Sequence, residues 1–329
     1  MTVLRERMTA LRQAALATSV LIPLTCYAAQ PASAATISLG AAANYAVLYE
    51  GTGGHNLGIS NDTVSGNIGV GGTGHVQFTG PGTINGSLNF VAAPTGQFSN
   101  SNASNVGPTS VTYGDTAVPS VSSALSAIAT LTAAVSGGTN FALTNAGATV
   151  NENTGALQTI NGVVSRVFNV TAYSANNSTV LTIVGDGSGQ PVVFNFAQGA
   201  GNFGNNNVNL GGTVVLSGTG LTSADQVLFN FQSSGKNISL TNNGGTFLGI
   251  ILAVDDAMSL TDANLTGRFF GGDSSDMHIQ SGGNVFAPIT GGGGQGGETP
   301  LPAALPLFAT GLGALGLLSW RRKRKNAAT

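Results

Sequence analysis

Few side chains in this sequence have the chemistry for catalysis or metal binding, and they fall into three groups. The histidines are His55, His75 and His278. A serine nucleophile would need one of them as its base and an acid to orient that base. No serine sits in a strand-to-helix elbow of the Gly-x-Ser-x-Gly type. Gly187-Ser188-Gly189 has the outline, but it lies within Gly185-Asp186-Gly187-Ser188-Gly189, which reads as a plain turn between strands. The acidic group comprises Asp255-Asp256, Asp262, and Asp273 and Asp276 next to His278. Asp273 and Asp276 are the candidate oxygen ligands for a calcium ion bracing a turn. No glutamate offers a bidentate ligand there, and aspartate is common at turns because its side chain caps local N–H groups. Turns are therefore the favoured reading. The third group, Gly71-Gly72-Thr73-Gly74, imitates a nucleotide loop, but no helix follows to offer its N-terminus to a phosphate. The residues thus point to a protein that is not an enzyme, with no cofactor.

Charge narrows the partners. Charged residues make up 7% of the 329-residue chain, against roughly a quarter in ordinary soluble domains. Between Glu50 and Glu298 twelve acids face only three cations, Arg166, Lys236 and Arg268. Such a body cannot build the cationic stripe that neutralises phosphates, so nucleic acid is excluded as a partner. The one cysteine, Cys26, lies in the leader, so the exported part can form no disulfide within itself.

The two ends read as addresses. Residues 1–35 have the parts of a secretory signal: Arg5, Arg7 and Arg12, an apolar run from Ala14 to Leu24, and the small-x-small site Ala32-Ser33-Ala34. At the other end a glycine-rich linker covers 291–298. It leads into Pro300-Leu301-Pro302-Ala303, an apolar stretch over 304–320, and the basic run Arg321-Arg322-Lys323-Arg324-Lys325. That stretch is long enough for a short transmembrane helix, with the basic run on the cytoplasmic side. The segment 299–329 resembles the PEP-CTERM sorting tails of bacteria in their VPLPA variant, with Thr299 where that variant usually has valine. The resemblance implies recognition by an exosortase and removal of the tail. A permanent membrane anchor is the alternative. The expected location is an inner-membrane-anchored precursor, then the cell envelope, outer surface or extracellular matrix.

Between the ends, residues 36–290 read as short β-runs separated by Gly, Asn, Asp and Ser turns. Ile238-Ser-Leu240, Met258-Ser-Leu260 and Met277-His-Ile279 start 20 and 19 residues apart, and Val208-Asn-Leu210 has the same form. Val64-Ser65-Gly66 precedes Ile84-Asn85-Gly86 by 20, and Leu248-Gly249 precedes Thr266-Gly267 by 18. Val193-Phe-Asn-Phe196 returns as Leu228-Phe-Asn-Phe231, with an echo at Val167-Phe-Asn-Val170. This predicts an all-β domain, a parallel β-helix of about 18–20 residues per coil, with a β-sandwich as the alternative. One helix is expected over about 119–137, its stripe formed by Val121, Leu125, Ile128, Leu131 and Val135 and its N-cap by Ser120 or Ser122, packed alongside the coils.

Gly-rich coils, one helix, then further coils resemble the β-helical ice-binding protein family, notably at 39–48 and at Gly249-Ile-Ile-Leu-Ala253 followed by Leu265-Thr-Gly-Arg268. Residues 225–280 also resemble the choice-of-anchor A domain of bacterial surface proteins. The expected function is a structural or adhesive, non-catalytic component of the surface or matrix, with extracellular polysaccharide or another surface protein as partner. The alternative is ice binding, for which no outward Thr-x-Thr ladder recurs at the coil period. A polysaccharide-active enzyme is the second alternative, opposed by the scarcity of Lys, Arg and His.

Overall fold

A computed structural model describes residues 34–93, 96–197, 207–272 and 275–288. Ala32, most of the predicted leader, the linker 291–298 and the tail 299–329 lie outside the described residues, including the sorting motif, the expected span 304–320 and the basic run. Among the described residues no helix is long and apolar enough to cross a membrane.

Short apolar runs punctuated by glycine cannot satisfy their backbone groups alone, so they stack as rungs that bond to the coil above and below. The described strand pairings are parallel, apart from Ala156–Ile160 against the first half of Val163–Tyr173. A sandwich of antiparallel hairpins is thereby ruled out. The coils turn through three faces. One long strand, Thr246–Ala253, pairs along its whole length with Asn264–Gly271, while on its other edge only its later residues pair, with Leu228–Asn230, so it runs from one face into the next. The bend falls at Gly249, stacked on Gly267 of the strand Asn264–Gly271. Their φ angles are +138° and +149°, and a Cβ on Gly267 would lie 1.8 Å from the Gly249 carbonyl oxygen. Only glycine fits that corner.

Coil length is less uniform than the repeats predict. Stacked partners are 18 residues apart at Gly249 and Gly267 and 20 at Ile68 and Leu88, but 29 at Asn140 and Asn169 and 35 at Phe194 and Phe229. The Ala156–Ile160 excursion and longer connections account for the difference.

The helix α1 (Val121–Ala134) starts at Ser120, whose side chain accepts from the Ser123 N–H, and covers one face. Strands there are buried on both sides, which is why Tyr45–Tyr49, Val192–Phe196 and Val227–Phe231 are near-continuous apolar runs. Their inward phenylalanines stack, Phe194 on Phe229 at 5.1 Å and Phe196 on Phe231 at 4.1 Å. On the side opposite these rings asparagines stack in register from Asn140 through Asn169 and Asn195 to Asn230, the first exposed and the last two fully buried. Asn195 donates to Gln232, and Gln232 donates to the Thr132 and Val135 carbonyls at 3.0 and 2.7 Å, closing the C-terminal turn of α1.

The spatial order of the coils is not their order in the chain. On the covered face Tyr45–Tyr49 lies between Asn264–Gly271 and Asn67–Val70. The first coil thus meets the last: Val47 pairs with Phe269, Leu57 with Met277 and Val64 with Val285. From this seam one arm climbs through Asn67–Val70 and Ser87–Phe90 to Ser110–Thr112; α1 then carries the chain along the stack, and a second arm winds back from Thr139–Leu143.

Arg268 fastens the seam. It is 1% exposed, and its Nε and Nη2 donate to the two Asp225 carboxylate oxygens at 2.9 and 3.0 Å. Its Nη1 donates to the Ala43 and Tyr45 carbonyls at 2.7 and 2.6 Å. Arg268→Met leaves Asp225 buried without its cation and should cost about 3–5 kcal/mol. Chemical unfolding checks this, and Asp225→Asn added to Arg268→Met should recover part of the loss.

Candidate functional site

The catalytic candidates are not brought together. Ser188 Oγ donates to Glu152, which also accepts from the Asp186 and Gln190 N–H groups at 3.2 and 3.0 Å. No histidine takes part. Asp186 accepts the Ser188 N–H at 2.8 Å, and this bond holds its carboxyl below the usual range. The loop is a turn, as its composition suggests. His55 faces Asp276 at 3.4 Å, and Asp276 also accepts the Asn56 N–H at 2.8 Å, as a turn-capping aspartate does. Asp273 lies outside the described residues. Among the described residues no group of three or more His, Asp or Glu side chains could hold a metal.

What the fold does assemble is a surface. The face after the covered one is a single parallel ladder of seven strands, Asn207–Asn209, Ser234–Thr241, Asp255–Thr261, Met277–Gln280, Asn56–Ser60, His75–Phe78 and Phe98–Asn100. The repeated triplets lie here. Ile238, Met258 and Met277 form one inward column, and Leu240, Leu260 and Ile279 another. The residues between them point outward, because side chains alternate along a strand. Ser239, Ser259, His278, Gly58 and Gln77 make one outward column, and Thr241, Thr261, Gln280 and Ser60 the next. Asn237 and Ala257 pair beside them. Over two rungs the surface is therefore Ser-x-Thr on Ser-x-Thr. The hydroxyl ladder that the sequence did not display exists, as Ser with Thr rather than Thr with Thr. It stops at Gln280, whose amide donates to the Thr261 hydroxyl at 3.3 Å. The spacing of 20 residues between Ser239-Leu-Thr241 and Ser259-Leu-Thr261 was the available signal.

The third face is less regular. Its ladder breaks beside Thr213–Thr219, leaving a groove lined by Val215, Leu221, Thr246, Leu248, Thr266 and Pro288.

Residues 32–285 match the family described as an ice-binding-like adhesive domain. The chain belongs to that family. Among solved structures this ice-binding-like chain is similar to an ice-binding protein from an Arctic yeast, at 17% identity and a TM-score of 0.49 over 79% of this chain and 97% of that one. It is similar to an ice-binding protein from the Antarctic ascomycete Antarctomyces psychrotrophicus, at 15% identity and 0.49 over 77% and 98%. A third, from an Antarctic Flavobacteriaceae bacterium, has 19% identity and 0.47 over 79% and 49%. No curated protein matches the chain. The expectation of a structural or adhesive matrix role is corrected by the family match, which favours ice binding, the second reading of the sequence. The sequence ranked it lower because the outward hydroxyls are split between two residue types.

Two carboxylates brace the edges of the seven-stranded face in this ice-binding-like domain. Asp62 is 2% exposed and accepts N–H groups from Ser60 in its own coil and Gly282 in the last one, both at 2.9 Å. Burial pushes its carboxyl up to about 6 despite these donors. Burial also raises Asp256, which accepts from Ser233 Oγ at 2.6 Å and the Lys236 N–H at 2.8 Å. A folded-state value above the unfolded one, near 4, means that the folded protein binds the proton more tightly. The contribution of Asp62 to stability is thus greatest below about pH 4 and is lost as pH rises through about 6. Tm measured between pH 4 and 7 should show this slope, and Asp62→Asn should flatten it; an identical slope in the variant would contradict the assignment.

Proposed function

We propose that this protein binds ice through the seven-stranded face, centred on Asn237, Ser239, Thr241, Ala257, Ser259 and Thr261. The observation that carries the reading is the registered Ser-x-Thr pair on a face that α1 leaves open, in a chain of the ice-binding-like family. Rungs repeat at about 4.7–4.9 Å, and outward residues along a strand at roughly twice 3.3 Å. Small side chains on such a grid hold hydroxyls and methyls in one plane. Water bonded to the hydroxyls is then ordered in two directions and can merge with an ice surface. Each contact is weak, so binding depends on the number engaged together and on a backbone already fixed by its ladder. The role needs no nucleophile, cofactor or metal.

The terminal segments fit an exported protein. On this reading the leader is cleaved after Ala34. Thr299 to Thr329 serves as a PEP-CTERM-type tail: an exosortase reads Pro300-Leu301-Pro302-Ala303, with 304–320 as a temporary membrane span and Arg321 to Lys325 as its cytoplasmic stop. The likeness of 225–280 to choice-of-anchor A domains belongs with this reading. Mass spectrometry of the exported protein should find the C-terminus within or just before 299–303, and an intact tail would refute the sorting.

Thermal hysteresis measures the main proposal. Thr261→Tyr, which raises a ring above the plane, should abolish most of the hysteresis while changing stability by no more than about 0.5 kcal/mol. Gln280→Thr should increase it, because it frees the Thr261 hydroxyl and extends the hydroxyl column through to Ser60. No hysteresis in the wild type at high concentration would end the proposal.

A further inference from the structure

We propose that removal of the leader completes a polar site, in which the new α-ammonium of Ala35 docks on the Gly189 carbonyl and polarises a peptide that Glu152 already grips from its other side. The inference is independent of ice binding and rests on cleavage after Ala34.

Glu152 is fully buried, at 0% exposure. Its carboxylate collects Ser188 Oγ and the N–H groups of Asp186 and Gln190. Among the described residues no ion pair reaches it. Arg166 gives its Nη1 to the Gly155 carbonyl at 3.3 Å. A buried carboxylate with donors but no countercharge is costly, and a cation placed in line with one of its hydrogen bonds would offset part of that cost.

The strap at the start of the described chain supplies the geometry. The Ala35 N–H donates to the Gly189 carbonyl at 2.9 Å, and two residues later the Ile37 N–H donates to the Asp225 carbonyl at 2.9 Å. Ile37 and Leu39 are buried in the layer under α1, so the strap is anchored from its first residues. The Gly189 carbonyl and the Gln190 N–H belong to one peptide, and in a trans peptide they point in opposite directions. Ala35 sits on the oxygen and Glu152 on the N–H. A positive charge at the first and a negative charge at the second polarise the peptide in the same sense, and both hydrogen bonds strengthen.

In the uncleaved chain Ala35 nitrogen is a neutral amide and makes only an ordinary bond. A leader peptidase adds one water across the Ala34–Ala35 bond, leaving a carboxylate on Ala34 and an amine on Ala35. The amine takes up a proton from solvent at neutral pH, since α-amino groups titrate near 7.7–8.0. Processing thereby changes the charge at a site whose other parts are already built.

The chain is exported with its leader and its N-terminus read by mass spectrometry; Ala35 is expected there, and cleavage at any other bond would overturn the proposal. The free-amine protein is then compared with the same protein acetylated at Ala35. Acetylation keeps the N–H but removes the charge. Amide exchange at Gln190 should become about tenfold faster and Tm fall by roughly 2–4 °C. Both differences should shrink in Glu152→Gln, and should vanish above about pH 9, where the amine is neutral. Unchanged Gln190 exchange on acetylation of the wild type would refute the site, even if Glu152→Gln fails to fold.

Discussion

The pairing of the first coil with the last is the constraint on which the rest of this structure depends. Parallel rungs satisfy their backbone groups only against a neighbour, and here the rung at Tyr45–Tyr49 has its two neighbours at Asn67–Val70 and at Asn264–Gly271. Without the second neighbour, both arms would present an open ladder edge in mid-stack, with unpaired groups ready to join another chain. The seam is therefore held by more than backbone. Arg268 binds Asp225 and two carbonyls of the entering strand, and Asp62 accepts an N–H from each of the two coils that meet. Burying an arginine and an aspartate is not a gain in itself; what the pair supplies is a unique position for the entering chain.

Covering one face determines what the others can do. The covered face is apolar outward as well as inward, with Leu48, Val193, Leu228, Ile250 and Phe270 all buried against α1 and the strap. The Asn ladder sits at the edge of this layer and passes its hydrogen bonds, by way of Gln232, to the end of the helix. The seven-stranded face carries no such apolar layer. Its outward columns are mostly polar, with Ser239, Thr241, Ser259 and Thr261 side by side and His278 and Gln280 on the next rung, and its seven strands form one sheet. The groove beside Thr213–Thr219 denies the third face the same continuity.

Much of this was legible in residue patterns. The apolar-x-apolar triplets are the inward columns of the seven-stranded face, the apolar-x-Gly turns are the corners between the third face and the covered one, and the Phe-Asn motif encodes a ring stack on one side and an amide ladder on the other. The helix lies within two to three residues of its predicted ends, and its stripe is the buried one except for Leu125, which is only partly covered. The order of the coils was not legible. Adjacent rungs are chosen by which coils fit face to face, and a repeat presents similar edges everywhere, so nothing local tells Phe269 to seek Val47. The partners of Arg268 were hidden for a related reason: a lone arginine in a polar sequence reads as a surface residue unless the carbonyls it meets are known. The Ser and Thr grid was half visible, since its two rungs repeat in sequence while its continuation runs through Gln280 and Ser60 of coils far apart in the chain.

The crossover between the two arms has a further consequence. Ten strands stack on the covered face, so its tips are roughly 43 Å apart at about 4.8 Å per rung. The link that joins those tips runs from Tyr113 to Gly138. Fourteen of its residues are wound into α1, which spans about 21 Å at 1.5 Å per residue, and its extended ends must bridge what remains. The link therefore acts as a ruler. Coils could be added by duplication only as far as this tether reaches, unless the helix gained turns at the same time, so the length of the solenoid and the length of α1 are bound to evolve together.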